Sequence, residues 1–161
     1  MSGKVKRGVM AIVSLSELKS IVPSGSCLLG LDLGRKTIGL AISDPTFLIA
    51  SPLTTISRGG LLTDFDGLKA IIDSRNIGGL VCGLPISMDG TEGPRCQSTR
   101  QFIENLLSHR DMTVVFWDER LSTAAVERML IGEIDMTRKR RKKIIDKLAA
   151  AYILQGALNA L

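Results

Sequence analysis

The chain has 161 residues, 45% of them hydrophobic, and its mean hydropathy is +0.22. This size and composition predict a domain with a substantial core and exclude wholesale disorder. No apolar run reaches the ~18 residues of a membrane span, and the apolar patch near the N-terminus is too short for a signal-peptide core, so we expect a cytoplasmic protein.

The formal net charge is +5 and the pI is about 9.4. The excess is local, because one block carries six consecutive basic residues: Arg138, Lys139, Arg140, Arg141, Lys142 and Lys143. Such a block is typical either of contact with a polyanion or of a solvated loop. Aromatic residues make up only 4% of the chain. A nucleic acid would therefore be held by its phosphates rather than by base stacking.

Cysteine and histidine are too few for several kinds of site. Cys27, Cys82 and Cys96 are too scattered for a disulfide framework or a zinc site. His109 is the only histidine, and we expect it to be a solvated residue at a helix end. We therefore predict neither a zinc centre nor a serine-hydrolase triad.

The sequence pattern divides the chain into two parts. Residues 1–26 are predicted to form an N-terminal extension, in which Ser14 and Glu17 make a capping box before a short helix over 15–22. Residues 27–161 are predicted to form the main domain.

In the main domain, apolar runs separated by turn residues predict strands, and helical spacing predicts helices. The predicted strands cover 27–33, 37–43, 51–57, 79–85 and 113–117, and the predicted helices cover 61–75, 94–108, 122–130 and 144–161. Three consecutive strands followed by alternating helices and strands predict the α/β class, with a mixed sheet and helices on both faces.

Asp32 lies inside the first predicted strand, in the stretch LLGLDLG. A carboxylate among leucines is costly to bury unless it is paired. Because side chains alternate along a strand, Asp32 shares a face with Gly30 and Gly34, and we expect these glycines to leave open space beside it. Asp32 is then either the floor of a metal site or the start of a hydrogen-bonded turn.

Glu119 follows the last predicted strand, in the stretch VVFWDERLST. Ligands of open α/β sheets bind where strands end, so Glu119 is a second candidate for a site. The alternative is a solvated charged loop in which Asp118 and Glu119 pair with Arg120.

Asp146 lies in the last predicted helix, at the edge of a predicted apolar stripe. The stripe comprises Ile145, Leu148, Ala149, Tyr152 and Gly156. The small residues one turn after Asp146 would let this helix approach the sheet closely. The alternative is that Asp146 is simply an acidic residue in the first turn of the helix, where its negative charge interacts favourably with the helix dipole.

Three carboxylates without a histidine partner suit a hard cation such as Mg²⁺. Two such ions about 4 Å apart can activate a water and stabilise the leaving oxygen of a phosphodiester. A basic loop directly before Asp146 would supply phosphate contacts. These residues predict metal-dependent phosphodiester hydrolysis, with two Mg²⁺ or Mn²⁺ ions.

Four motifs in this order resemble those of the YqgF/RuvX family: GLDLGRKTIGLAISD, GLPISMDGTEGP, DERLST and IIDKLAAAYILQ. Members of that family are described as Holliday junction resolvases and as nucleases that mature the end of pre-16S ribosomal RNA. The resemblance extends over residues 28–156. It implies an RNase H-like fold, a five-stranded mixed sheet flanked by helices.

The resemblance also implies an Asp-Glu-Asp set that binds the metals and carries catalysis, formed here by Asp32, Glu119 and Asp146. It places the GLPISMDGTEGP stretch near the active site, although Ser87 stands where the family pattern has asparagine. Basic residues in and beside the motifs are the candidate nucleic-acid contacts: Arg35, Lys36, Arg95, Arg120, and the block from Arg138 to Lys143.

Two other functions stay open. An ATP-binding module of the actin or sugar-kinase type also has a D-x-G turn after its first strand, but this chain is short for two lobes. A non-catalytic RNA-binding assembly factor would use the basic block and not the carboxylates. The expected partners are precursor ribosomal RNA or branched DNA, together with ribosomal particles. We expect no membrane partner, and either a monomer or a homodimer.

Overall fold

A computed structural model describes residues 11–121 and 138–161. The described elements are α1 (Leu15–Ile21), β1 (Cys27–Leu33), β2 (Thr37–Ser43), β3 (Ala50–Ser57), α2 (Leu61–Ser74), β4 (Ile77–Leu84), α3 (Pro94–His109), β5 (Val114–Asp118), a 3₁₀ turn (Glu119–Leu121) and α4 (Arg138–Asn159). The helix predicted over 122–130 lies outside the described residues. None of the described helices is long and apolar enough to cross a membrane.

The five strands form one mixed sheet in the order β3-β2-β1-β4-β5. β1 and β3 each pair antiparallel with β2, whereas β4 pairs parallel with β1 and with β5. This arrangement confirms the predicted fold class. The parallel strands β1, β4 and β5 end at the same side of the sheet, which we call the C-terminal rim.

The alternation predicted for β1 is confirmed by two separate cores. Leu29, Leu31 and Leu33 face α2 and α3, where they pack in the core that includes Phe65 and Phe102. The opposite face packs against α1 and α4 through a second buried set: Leu18, Val22, Leu28, Ala41, Val81, Val115, Ala150, Ile153, Leu154, Ala157 and Leu158. Helices therefore cover both faces, and Asp32 points toward α4.

The segment before β1 packs closely against the sheet. The Val13 N–H donates to the Val114 carbonyl at 2.9 Å, and the Val114 N–H donates to the Ala11 carbonyl at 2.7 Å. The predicted capping box is wrong, because the Ser14 side chain makes no cap hydrogen bond and instead lies 3.1 Å from the Ser16 hydroxyl. The division into a 1–26 extension and a main domain stays a prediction.

Two predictions for the last helix are wrong. The helix begins at Arg138 and therefore contains the basic block, which was predicted to be a loop. Lysine and arginine are good helix formers, and no glycine or proline interrupts the block. The buried stripe also differs from the predicted one, since Ile145 and Tyr152 are only partly buried whereas Ala150 and Leu154 are fully buried.

The position of Asp146 follows from this shifted stripe. Ala150, Ile153 and Leu154 follow Asp146 at helical spacing and are buried against the sheet. Asp146 is therefore aligned with the buried face of α4 rather than at the edge of it.

Candidate active site

Asp32 is buried, with 7% of its surface exposed, near the C-terminal rim. Its register partner on β2 is Gly39. On the other side, Leu31 pairs with Cys82 of β4, so Gly83 is the next residue beside Asp32. Both neighbours of Asp32 across the sheet are therefore glycines.

Asp146 lies over the first of these glycines. A Cβ atom at Gly39 would overlap the carbonyl oxygen of Asp146, so only glycine permits this approach of α4 to β2. The Asp146 side chain is oriented by the Thr37 hydroxyl, which donates a hydrogen bond to its Oδ2 atom. Gly39 and Thr37 together bring the Asp146 carboxylate to the strand beside Asp32.

Glu119 lies over the second glycine. A Cβ atom at Gly83 would be 2.8 Å from the Glu119 Oε1 atom and 2.6 Å from the Cδ1 atom of Ile153 on α4. Glu119 opens the 3₁₀ turn that follows β5, which keeps its side chain on the α4 face of the sheet. Glu119 and Asp146 therefore lie on opposite sides of Asp32.

The buried Cys82 thiol lies within electrostatic range of both Asp32 and Glu119. Its pKa is raised first by burial, then by the negative charge of Glu119 and that of Asp32. Both carboxylates are thus near enough to one thiol to disfavour a thiolate.

The glycines flanking Asp32 along β1 have other roles than predicted. We expected Gly30 and Gly34 to leave open space, but a Cβ at Gly30 would lie 2.8 Å from the Cβ of Leu154, because α4 crosses there. Gly34 permits the tight turn to β2, since its N–H donates to the Thr37 carbonyl at 2.9 Å. The predicted close approach of α4 through small residues is confirmed, because Ala149 and Ala150 are buried.

No three histidine, cysteine, aspartate or glutamate side chains in residues 11–121 and 138–161 are grouped so that they could hold a metal ion. Within these residues Glu119 and Asp146 lie over the glycines on either side of Asp32, but the three side chains do not form such a group. The assignment of Asp32, Glu119 and Asp146 as metal ligands and catalytic residues stays a prediction.

Arg120 is fixed beside this group by Asp118. The Arg120 guanidinium donates to both carboxylate oxygens of Asp118, with an Nη2 to Oδ2 distance of 2.7 Å. This bonding lowers the pKa of Asp118 and raises the pKa of Arg120. Asp118 therefore pairs with Arg120, as one of the alternatives expected, and keeps that cation at the C-terminal rim.

The loop after β4 lies next to Arg120. Its turn is closed by the Ser87 N–H, which donates to the Thr91 carbonyl at 3.0 Å, and Gly90 has a φ of 89°. The Thr91 hydroxyl and N–H both donate to Asp89, and the pKa of Asp89 is lowered mainly by the hydroxyl. The Arg120 charge contributes to the same lowering, so this loop and the rim are electrostatically connected.

The other predicted nucleic-acid contacts are distributed around the rim. Arg35 and Lys36 are exposed in the turn between β1 and β2, and Arg95 is exposed in the first turn of α3. Arg140 is exposed near the start of α4 and, with Lys147, lines a groove of about 420 Å³ against β3. The side chains of Arg138, Lys139, Arg141, Lys142 and Lys143 lie outside what the structure describes.

Sequence reasoning missed two residues near the rim, Thr37 and Arg58. Thr37 orients Asp146 from 109 residues away, so no local spacing marks it. Arg58 donates to the Gly34 carbonyl at 2.7 Å and pairs with the buried Asp64 at 3.4 Å. No sequence signal marks Arg58, because the burial of its partner Asp64 is visible only in the structure.

A family model described as "RuvX: Holliday junction resolvase" matches residues 26–160. A protein of Rhodospirillum rubrum named "Putative pre-16S rRNA nuclease" is 56% identical over 152 residues, which cover 94% of each chain. A protein of Phenylobacterium zucineum with the same name is 55% identical over 153 residues, covering 94% of this chain and 98% of the relative.

Among solved structures, RuvC of Thermus thermophilus in complex with a Holliday junction substrate superposes with a TM-score of 0.52 and 13% identity. The match covers 84% of this chain and 94% of that one. At this identity the likeness concerns the fold, and it agrees with the RNase H-like architecture.

Proposed function

The chain belongs to the RuvX family of Holliday junction resolvases, and from this premise we propose that it is a metal-dependent nuclease acting in the cytoplasm. The proposed reaction is hydrolysis of phosphodiester bonds, in the 5′-end maturation of pre-16S ribosomal RNA or in the resolution of branched DNA. The observation that supports it most is the position of Glu119 and Asp146 over the two glycines that flank Asp32.

The residues present suit a divalent cation of the Mg²⁺ type. All three candidate ligands are carboxylates, the oxygen donors that Mg²⁺ and Mn²⁺ prefer, and Mg²⁺ keeps several waters and needs few protein ligands. Gly39 and Gly83 allow α4 and the Glu119 side chain to come close to the sheet on either side of Asp32. We propose that Asp32, Glu119 and Asp146 hold two Mg²⁺ or Mn²⁺ ions.

Bound divalent ions would supply an activated water and stabilise the leaving oxygen. The chain's own residues orient the ligands and the substrate. Thr37 fixes the Asp146 carboxylate, and burial of Asp32 limits its freedom. Arg120, held protonated by Asp118, is placed to contact a phosphate of the substrate strand. His109 packs against Phe65 on the opposite face of the sheet, with ring centroids 5.3 Å apart, and has no role in this proposal.

The test uses purified protein, Mg²⁺ or Mn²⁺, a precursor 16S RNA fragment with its 5′ extension, and a four-way DNA junction. Wild-type protein should cleave at least one substrate, and Asp32→Asn, Glu119→Gln and Asp146→Asn should each abolish cleavage. Asp66→Asn, at an exposed position of α2, is the matched control and should cleave normally. A calorimetric titration with Mn²⁺ gives a second readout. The three active-site variants should bind Mn²⁺ more weakly than the wild-type protein.

The same variants separate catalysis from docking. A non-catalytic assembly factor would support normal ribosomal RNA processing in cells that carry Glu119→Gln or Asp146→Asn. Normal processing by these variants, or an absence of cleavage across both substrates and metals, would contradict the nuclease proposal.

A further inference from the structure

A cavity of about 300 Å³ opens at the C-terminal rim on the face opposite the carboxylates. Its walls come from the end of β1, the loop before α2 and the first turns of α3. Three arginines line it, together with hydroxyl and apolar groups: Arg35, Arg58, Arg95, Ser98, Thr99, Leu33 and Phe102. We call it the arginine pocket.

Arg58 is the fixed cation of this pocket. Its Nη1 atom donates to the Gly34 carbonyl at 2.7 Å, its Nε atom lies 3.4 Å from Asp64, and its guanidinium carbon is 5.2 Å from the centre of the Phe102 ring. These contacts use two of its nitrogens. A guanidinium carries five N–H donors, so Arg58 keeps donors for a ligand in the pocket.

Arg35 and Arg95 add positive charge that nothing nearby neutralises. Within residues 11–121 and 138–161 neither guanidinium has an ion-pair or hydrogen-bond partner. Asp64 pairs with Arg58, and the lining residues of the pocket include no acidic side chain. Three guanidinium groups against one carboxylate leave an excess of positive charge, which favours an anion.

Thr99 adds a hydroxyl group to the wall of the arginine pocket. Only 4% of its surface is exposed, and it lines the arginine pocket. A threonine hydroxyl can both donate and accept hydrogen bonds. An oxygen-rich anion in the pocket would accept from this hydroxyl and from the guanidinium groups.

We propose that the arginine pocket binds a phosphate group of the nucleic-acid strand whose cleavage is assigned to the carboxylates on the other face. Asp32 and Leu33 are consecutive in β1 and point to opposite faces, so a strand crossing the rim would contact both sites. Arginine is suited to this role because its planar fork matches phosphate oxygens. The inference rests on the proposed nuclease function for the identity of the strand, but the binding itself requires no cleavage.

The test is binding of a single-stranded RNA 12-mer, labelled at its 3′ end, to the full chain in EDTA at several KCl concentrations. The double variant Arg35→Gln, Arg95→Gln should bind about tenfold more weakly. Its slope of log affinity against log salt should flatten by about 0.7 for each single-strand phosphate that the protein no longer neutralises. Arg75→Gln, an exposed position at the C-terminal end of α2, removes one charge at the other end of the sheet and is the matched control.

Two forms of the 12-mer distinguish the sources of the phosphate. Equal losses of affinity with a 5′-hydroxyl and a 5′-phosphorylated probe would assign the pocket to an internal phosphodiester, and a loss confined to the phosphorylated probe would assign it to a terminal phosphate. Affinities and slopes of the double variant that match those of Arg75→Gln would overturn the inference.

Failure of the pocket and failure of the nuclease proposal give different results. If wild-type protein cleaves RNA or DNA but the double variant binds the 12-mer normally, the phosphate-binding proposal is contradicted and the nuclease proposal is supported. If wild-type protein cleaves nothing while the double variant binds the 12-mer weakly, phosphate binding in the arginine pocket is supported and the nuclease proposal is contradicted.

Discussion

The Thr37 hydroxyl donates a hydrogen bond to the Oδ2 atom of Asp146, and 109 positions separate the two residues. Thr37 begins β2, and Asp146 lies in α4 on the face buried against the sheet. The backbone carbonyl of Asp146 lies above Gly39, which shares a face of β2 with Thr37, so the bond holds the carboxylate beside this strand. A carboxylate oriented in this way has one oxygen engaged and one available for a cation.

Thr37→Val should weaken binding of Mn²⁺ by about tenfold, because partners that orient a metal ligand typically contribute at least that factor. Cleavage, if Asp146 acts as proposed, should fall by a similar factor at limiting metal and recover at high metal. The measurements are Mn²⁺ titration by calorimetry and initial cleavage rates across metal concentration.

Thr63→Val is the control for this change, since Thr63 is exposed on α2, away from the carboxylates. It should leave both metal affinity and rate unchanged. Wild-type metal affinity in Thr37→Val would show that the hydrogen bond has only a structural role.

Gly39→Ala should lower the free energy of unfolding by about 1–3 kcal/mol, the usual cost of overpacking. The added Cβ would overlap the Asp146 carbonyl oxygen, which belongs to the backbone and moves only if α4 moves. Displacement of α4 would also separate Asp146 from Thr37, so metal binding should decline together with stability. Urea unfolding measures the first effect, and Mn²⁺ titration measures the second.

Gly59→Ala is the matched control, because its Cβ would lie 3.8 Å from the Thr63 Cγ2 atom, an ordinary contact. This variant should unfold at a similar or slightly higher urea concentration, since alanine restricts the unfolded chain. Equal midpoints for the two alanine variants would show that α4 can shift without cost.

The strands of the antiparallel part could be predicted closely from local sequence. The bounds of β1 and β2 agree with the predicted ranges, because each apolar run ends at a turn such as Gly34-Arg35-Lys36 or Asp44-Pro45. Period-two alternation then assigned Asp32 to the face opposite the leucines. Both signals depend only on neighbours in the chain.

The surroundings of Asp32 could not be predicted in the same way. Gly39 and Gly83 become its neighbours only after the strand order and register are known, whereas Gly30 and Gly34 were visible at once and proved to serve the helix crossing and the turn. The face of α4 was ambiguous for a related reason. Alanines at several helical phases made two stripes similar in sequence, and the glycines of the sheet decide which one is buried.

Asp44 should make stability depend on pH in acid. Its carboxylate accepts hydrogen bonds from the N–H groups of Ile49 and Leu48, both at 2.8 Å, and from the Thr46 hydroxyl. These bonds, that of Ile49 foremost, hold the pKa of Asp44 well below its usual range. A lowered folded pKa gives stability that is complete above the unfolded value near 3.9 and is lost as the pH falls through the folded one.

Asp44→Asn should therefore unfold at a lower urea concentration than wild type at pH 7, with the gap narrowing as the pH falls below about 4. Asp111→Asn serves as the control, since Asp111 is exposed and has no hydrogen-bond partner among the described residues. A gap between Asp44→Asn and wild type that stays constant down to pH 2 would mean that charge on Asp44 does not stabilise the loop.

The start of α4 should contribute to nucleic-acid affinity through phosphates. Arg140 and Lys147 line the groove against β3 together with Thr54 and Thr55, and Lys147 directly follows Asp146. A helix presents these cations at fixed spacing, whereas the predicted loop would not. Arg140→Gln, Lys147→Gln should therefore weaken binding of a DNA duplex and flatten the slope of log affinity against log salt by about 0.9 for each phosphate that the protein no longer neutralises.

Lys19→Gln, at an exposed position of α1, is the control for this pair and should change neither affinity nor slope beyond the general effect of one charge. Fluorescence anisotropy between 50 and 300 mM KCl, in EDTA, provides the measurement. A slope equal to that of wild type in the double variant would mean that the groove does not follow the phosphate backbone. The phosphate contacts would then have to come from other basic residues, such as Arg120 or those of the arginine pocket.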